Sequence, residues 1–215
     1  MSAAGRIGVL GGTFDPPHVG HLIVAQDVHE RLALDRLIVV PAARPPHRDP
    51  AFGAEQRFEL VRSAFGEDPR FEVSDVELHR DGPSWTVWTL EEIQAGIPAA
   101  ELFLVVGVDQ YRTFAEWREP ERILRLARLA VMPRDGEIPE PDPRFPFEPV
   151  PVTRVDVSST QIRERLAAGR TVRYLVPESI RERLESSWVE RTATSDPAAE
   201  TRVAGRGKRE PGDRC

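Results

Sequence analysis

Apolar runs of strand length recur along this chain, and each gives way to a turn and then to a helical pattern. The clearest are Ile7–Leu10, Leu37–Val40 and Leu102–Val106, followed by RLAVMP at 128–133. A strand that is apolar at successive positions is covered on both faces, which is the condition of a parallel strand in an α/β sheet. Helices fit between these runs. Leu22, Ile23, Ala25, Val28 and Leu32 form an approximate stripe over Val19–Leu34, a second helix spans about Ala54–Ala64, and a third carries Val87, Leu90 and Ile93 on one face. Strands alternating with helices predict an α/β fold built on a doubly wound parallel sheet with right-handed crossovers.

The rest of the chain fits one domain and a tail. FEVSD at Phe71–Asp75 reads as a short strand, and DQYRTFAEW and EPERILRLA read as helical. The stretch 134–149 is too rich in proline for a helix or a central strand and predicts an exposed connection. A last strand is expected at about Val150–Val157, followed by helices in SSTQIRERLAAG and VPESIRERLES. From Ser187 onward apolar residues are few and no periodicity remains, so 1–186 reads as the domain and 187–215 as a disordered tail.

Composition narrows the chemistry. No apolar run is long enough to span a bilayer, and MSAAGRIGVL lacks the long apolar segment and cleavage site of a secretory signal. A cytoplasmic protein with no membrane partner is expected. The single cysteine, Cys215, allows neither an intramolecular disulfide nor a cysteine-based metal site. A formal net charge of -6 argues against nucleic acid as a partner.

The chemistry concentrates in GVLGGTFDPPHVGHL, Gly8–Leu22. Gly11 and Gly12 let the backbone approach a ligand, while Pro16 and Pro17 delay the helix start to about His18–Gly20. His18 and His21, at i and i+3, then share one helical face beside the unpaired N–H groups of a helix N-terminus. A phosphate would find donors there from glycine backbone, imidazoles and helix end.

A second candidate is SSTQIR, 158–163. Ser158 with Gln161 matches a capping box, which is a sufficient structural explanation for both. Arg163 in a first helical turn opposes the helix dipole unless an anion compensates it, so Ser158, Ser159, Thr160 and Arg163 make a second phosphate cradle. Arg44 and Arg48 lie in a proline-rich loop after a strand, at the edge where open α/β sheets bind ligands. Asp109, just beyond another strand, fits either a ribose hydroxyl or a helix cap. Phe114 and Trp117, at i and i+3, fit core packing.

Two phosphate cradles facing each other would take a nucleoside triphosphate. A phosphate monoester is largely dianionic at neutral pH and attacks an α-phosphorus without a protein base. The chain offers no internal cysteine, convincing serine triad or strong carboxylate cluster for metal, so catalysis would rest on alignment and charge stabilisation. His18, His21 and Arg163 are the candidate catalytic residues.

HVGH fits the HxGH signature of a nucleotidyltransferase superfamily. GGTFDPPHVGHL, PPHR, PSWT, GVDQ with a downstream Trp, and SSTQIR together resemble, in order, the bacterial nicotinate-nucleotide adenylyltransferases, over the chain up to Leu184. The resemblance implies a Rossmann-like fold and synthesis of nicotinate adenine dinucleotide and pyrophosphate from ATP and nicotinate mononucleotide, with Mg²⁺ carried on ATP. It implies that Gly11, Gly12, Thr13, Phe14, His18, Gly20, His21 and the SSTQIR turn, with Ser158, Ser159, Thr160 and Arg163, hold ATP. It also implies that Arg48, Ser84, Trp85, Thr86, Asp109 and Trp117 hold nicotinate mononucleotide, with Trp117 on the pyridine ring and the Ser84–Thr86 turn at its carboxylate.

Two positions depart from that pattern. Arg48 stands where the family typically has Lys, and Trp88 where it typically has Asp. Another transferase of the superfamily, such as pantetheine-phosphate adenylyltransferase, usually has Thr at the first histidine and lacks PPHR and PSWT. A non-catalytic nucleotide-binding module would not need both histidines together with Arg163. No charged residue is assigned to the choice of acid over amide, and the oligomeric state, including a homo-oligomer, is left open.

Overall fold

The computed structural model describes residues 5–133 and 138–194. Its strands are β1 (Arg6–Gly12), β2 (Arg36–Pro41), β3 (Phe71–Val73), β4 (Glu101–Gly107), β5 (Ala127–Met132) and β6 (Phe147–Pro149). They form one sheet in the order β3-β2-β1-β4-β5-β6, and every pairing is parallel. The helices are α1 (Val19–Arg31), α2 (Ala54–Phe65), α3 (Thr86–Gly96), α4 (Val108–Arg112), α5 (Pro120–Leu126), α6 (Ser159–Ala167) and α7 (Glu178–Thr194). The strand order reverses between β1 and β4, and the carboxyl ends of strands at such a point open the crevice where α/β sheets take ligands.

Alternation along the strands explains the two covered faces. Ile7, Val9, Ile38, Val40, Leu102, Leu104, Val106, Leu129 and Val131 pack on one side with Val87, Leu90 and Ile93 of α3 and Ile123 of α5. Leu10, Leu37, Val39, Phe103, Val105 and Ala130 pack on the other with Ala25 and Val28 of α1 and Val61 and Phe65 of α2. A third cluster joins Phe52 and Leu60 to Ile162, Leu166, Val172, Val176, Ile180 and Leu184, which docks α6 and α7 against α2.

Three boundaries differ from the sequence expectation. α1 stops at Arg31 rather than Leu34, because Ala33 turns into the left-handed region at φ 46°. The last strand is Phe147–Pro149 rather than Val150–Val157. It is an edge strand, where proline is tolerated, and the Val150 N–H closes the pairing onto the Val131 carbonyl. The expected tail start at Ser187 also moves, since α7 continues to Thr194 and Trp188 packs edge-on against Phe52 at 5.6 Å. The remainder of the expected tail, 195–215, lies outside the described residues.

Candidate active site

The helix α1 begins where the prolines put it, with His18 as N-cap. The His18 N–H donates to Nδ1 of His21 at 3.1 Å, and the two imidazoles stack with centroids 3.7 Å apart. That bond leaves the proton of a neutral His21 on Nε2. Nδ1 of His18 is buried with no partner among the described residues. Burial pushes the His18 pKa down to about 4. His21 falls to about 3, chiefly by burial and secondarily by the neighbouring His18. Both rings are neutral N–H donors at pH 7.

The glycines have distinct reasons. A Cβ on Gly20 would lie 3.1 Å from Cε1 and Nδ1 of His18, so this glycine makes room for the imidazole. A Cβ on Gly12 would lie 3.0 Å from the Phe14 ring, which is buried and packs edge-on against His21 at 4.9 Å. Phe14 sits at φ 47°, a strained position for an aromatic residue. Of these three glycines, Gly11 is the one where an added Cβ would meet nothing within 4 Å. Space open to a ligand remains there.

The structure brings the second turn onto the first. Ser158 caps α6, its Oγ accepting from the Gln161 N–H at 3.2 Å. The Ser159 hydroxyl donates to the Pro16 carbonyl at 2.8 Å. Arg163 donates to the Asp15 carbonyl and stands 3.4 Å from the Asp15 carboxylate, with Thr160 Oγ1 accepting from it at 3.3 Å. α6 begins at Ser159, so Arg163 is its fifth residue, in the second turn and not the first as the sequence suggested, and Asp15 stands as its counter-charge.

Of the residues expected around a pyridine nucleotide, Ser84, Trp85 and Thr86 lie at the start of α3. Trp85 is its N-cap, Thr86 its first residue, and the Ser84 Oγ accepts from the Arg44 N–H at 2.9 Å while the Ser84 N–H returns a bond to the Arg44 carbonyl. Arg44 and Arg48 line a cleft of about 570 Å³ with Phe52, Arg57 and Pro83. Trp117 packs on Phe114 at 5.2 Å, as the core reading expected. Asp109 stands in the first turn of α4, and its carboxylate lies 3.4 Å from Arg112.

Two organising residues escape sequence reasoning. The Asp15 carboxylate accepts from the Ala51 and Phe52 N–H groups at 2.8 and 2.9 Å, fastening the first turn to the proline-rich loop. Arg57, 1 % exposed, donates to the carbonyls of Phe52, Thr13, Ala42 and Ala43 at 3.0, 2.8, 2.6 and 3.1 Å. One guanidinium thus ties together the turn after β1, the end of β2 and the start of α2. A signal was available, because Arg57 shares the buried face of α2 with Leu60 and Val61, at i+3 and i+4.

Comparison with known proteins agrees with this architecture. The cytidylyltransferase-like family model matches residues 9–165. A Thermus thermophilus protein named probable nicotinate-nucleotide adenylyltransferase is 49% identical over 175 residues, covering 81% of this chain and 94% of its own. The chain belongs to the nicotinate-nucleotide adenylyltransferase family. A Halorhodospira halophila member of the same name is 42% identical, covering 85% of this chain and 94% of its own. The fold also matches a Plasmodium falciparum nicotinic acid mononucleotide adenylyltransferase complexed with NaAD, with a TM-score of 0.69 and 15% identity over 88% of this chain and 96% of that one.

Within this adenylyltransferase family the two departures acquire surroundings. Arg48 lines the cleft described above, and Trp88 stacks beneath the Arg118 guanidinium, 4.9 Å from its ring centroid. Nucleotidyltransferases of this kind generally use a divalent metal with ATP. Among the described residues no three His, Cys, Asp or Glu side chains cluster as metal donors. No helix among the described residues is long and apolar enough to cross a membrane.

Proposed function

We propose that this chain transfers the adenylyl group of ATP to nicotinate mononucleotide, giving nicotinate adenine dinucleotide and pyrophosphate in cytoplasmic NAD biosynthesis. The observation that carries the reading is the fastening of the SSTQIR turn to the HVGH turn, through Ser159 on Pro16 and Arg163 on Asp15, beside two neutral imidazoles. In this reading the triphosphate lies between Gly11, Gly12, Thr13, Phe14, Gly20, His18 and His21 on one side and Ser158, Ser159, Thr160 and Arg163 on the other. Nicotinate mononucleotide lies on Arg48, Ser84, Trp85, Thr86, Asp109 and Trp117.

An oxygen of the acceptor's phosphate attacks the α-phosphorus in line. The new P–O bond forms as the bond from that phosphorus to the oxygen bridging to the β-phosphate breaks, and pyrophosphate leaves with the electron pair. The attacking monoester is already ionised, so no side chain needs to take a proton. His18 and His21 donate N–H groups to oxygens on which charge develops, in a site that holds them neutral and fixed. Arg163 adds a guanidinium whose direction is set by Asp15 and Thr160. Mg²⁺ bound to triphosphate oxygens and water would offset the charge of the departing pyrophosphate.

The test is the product. Incubation with ATP, Mg²⁺ and nicotinate mononucleotide, read by mass spectrometry, is expected to give nicotinate adenine dinucleotide in equal amount with pyrophosphate. Pyrophosphate released only with phosphopantetheine would replace the acceptor, and nucleotide binding without any product would replace the activity.

A further inference from the structure

The sequence assigns no charge to the choice between a pyridine carboxylate and a pyridine carboxamide, but the structure sets one beside the residues proposed to meet that group. Arg118 directly follows Trp117. Its guanidinium carbon stands 5.7 Å from the Trp85 ring centroid and 4.9 Å from that of Trp88. These indoles belong to the N-cap and first turn of α3, on either side of Thr86. Arg118 therefore spans from the proposed ring platform to the proposed carboxylate turn.

Two other cations near α3, Arg80 and Arg44, already have partners. Arg80 stands 5.8 Å from the Trp88 centroid, but it donates to Glu92 at 2.7 Å and Thr89 at 3.0 Å. Arg44 donates its Nη1 to the Arg80 carbonyl at 2.6 Å. The Arg118 side chain, half exposed, has a single ion pair among the described residues, a long 3.8 Å approach to Glu119. That carboxylate also takes Arg122 at 3.0 Å. A planar fork oriented by two indole faces is thus left with donors to spare.

We infer that Arg118 is a specificity-determining residue that favours an acceptor nucleotide bearing a pyridine carboxylate over one bearing the carboxamide. The inference rests on the adenylyl-transfer reading above. A carboxylate accepts two N–H bonds from a guanidinium fork and neutralises its charge. A carboxamide offers one carbonyl oxygen and sets its own N–H donors against a cation.

The experiment measures kcat/KM for nicotinate mononucleotide and for nicotinamide mononucleotide, with saturating ATP and Mg²⁺, in the wild type and in Arg118→Gln and Arg118→Lys. Gln keeps a planar donor without the charge, and Lys keeps the charge without the fork. The acid-to-amide ratio is expected to fall roughly ten- to hundredfold in Arg118→Gln, the scale of losing a hydrogen bond to a charged group. The loss should fall mainly on the acid, with Arg118→Lys between Gln and wild type. A ratio within twofold of wild type in both variants, or equal losses on both nucleotides, overturns the inference. A wild type that turns over neither nucleotide overturns the adenylyl-transfer reading itself, and this inference with it.

Discussion

Replacing Arg57 with Met keeps an unbranched chain of similar reach in the buried slot of α2 and removes every donor. Four carbonyls lose their partner, and the bonds to Phe52 and Ala43 are fully buried, while those to Thr13 and Ala42 are partly so. Each of the two buried oxygens left unsatisfied costs about 1–3 kcal/mol, and the partly buried pair recovers water and costs less. The Asp15 and Glu77 charges that favour the Arg57 cation lose that compensation as well. The expected loss is about 3–5 kcal/mol, the scale of breaking a buried charged network from one side. At roughly 2–4 °C per kcal/mol for a chain of this size, Tm should drop by about 6–20 °C. Urea unfolding checks it, as a lower midpoint with an unchanged m-value. Arg57→Lys, with one charge and three donors, should recover about half of the loss. A midpoint shift for Arg57→Met worth less than about 1 kcal/mol would refute the view that this guanidinium holds the turn after β1, β2 and α2 in one frame.

Other expectations follow from the same contacts. His18→Ala should lower turnover by about 10²–10³, the cost of one transition-state donor, and lower Tm only by the ring's lost packing on His21, because its buried Nδ1 has no partner to lose; a fall in turnover below tenfold would remove His18 from that role. Because burial depresses both imidazoles, to about 4 and about 3, the unfolded chain binds more protons as pH falls from about 6.5, and stability should decline across that window by up to about 1.4 kcal/mol per pH unit for each ring. Urea unfolding from pH 7 to 4.5 should therefore show a shallower decline in a His18→Ala, His21→Ala double variant, and an identical slope would count against neutral burial. Trp188→Ala should cost about 1–3 kcal/mol in thermal unfolding, through lost packing on Phe52, whereas no shift would return the domain boundary to Ser187.

The central sheet was legible because strands covered on both faces carry apolar residues at every position, as Leu37–Val40 and Leu102–Val106 do. The helix start at His18 was legible because Pro16 and Pro17 forbid an earlier one. The edge strand β6 was not, since one neighbour and one covered face place little demand on sequence, and its prolines argued for a loop. The end of α7 was hidden for another reason: its packing through Trp188 on Phe52 is tertiary and leaves no periodicity to read. In the site, the histidine pair and the SSTQIR turn could be named from residue type, but the bonds that join them run through the Asp15 and Pro16 carbonyls, which carry no side-chain signature. Gly20 entered the ATP site only through the family resemblance, and the structure shows a packing reason for it, the space taken by the His18 ring. Arg57 falls in the helical register of Leu60 and Val61, which hints at burial but not at the carbonyls it meets, while Arg118 looks like a surface charge in sequence and only the fold shows it laid on two indoles.

The stereochemical course at the α-phosphorus tests most directly the claim that aligned donors suffice for a single displacement. With ATP chiral at that phosphorus as its phosphorothioate, and nicotinate mononucleotide as acceptor, the account predicts a dinucleotide of inverted configuration. Retention would mean two displacements through an adenylylated side chain, and failure to form the dinucleotide from ATP itself would contradict adenylyl transfer to this acceptor.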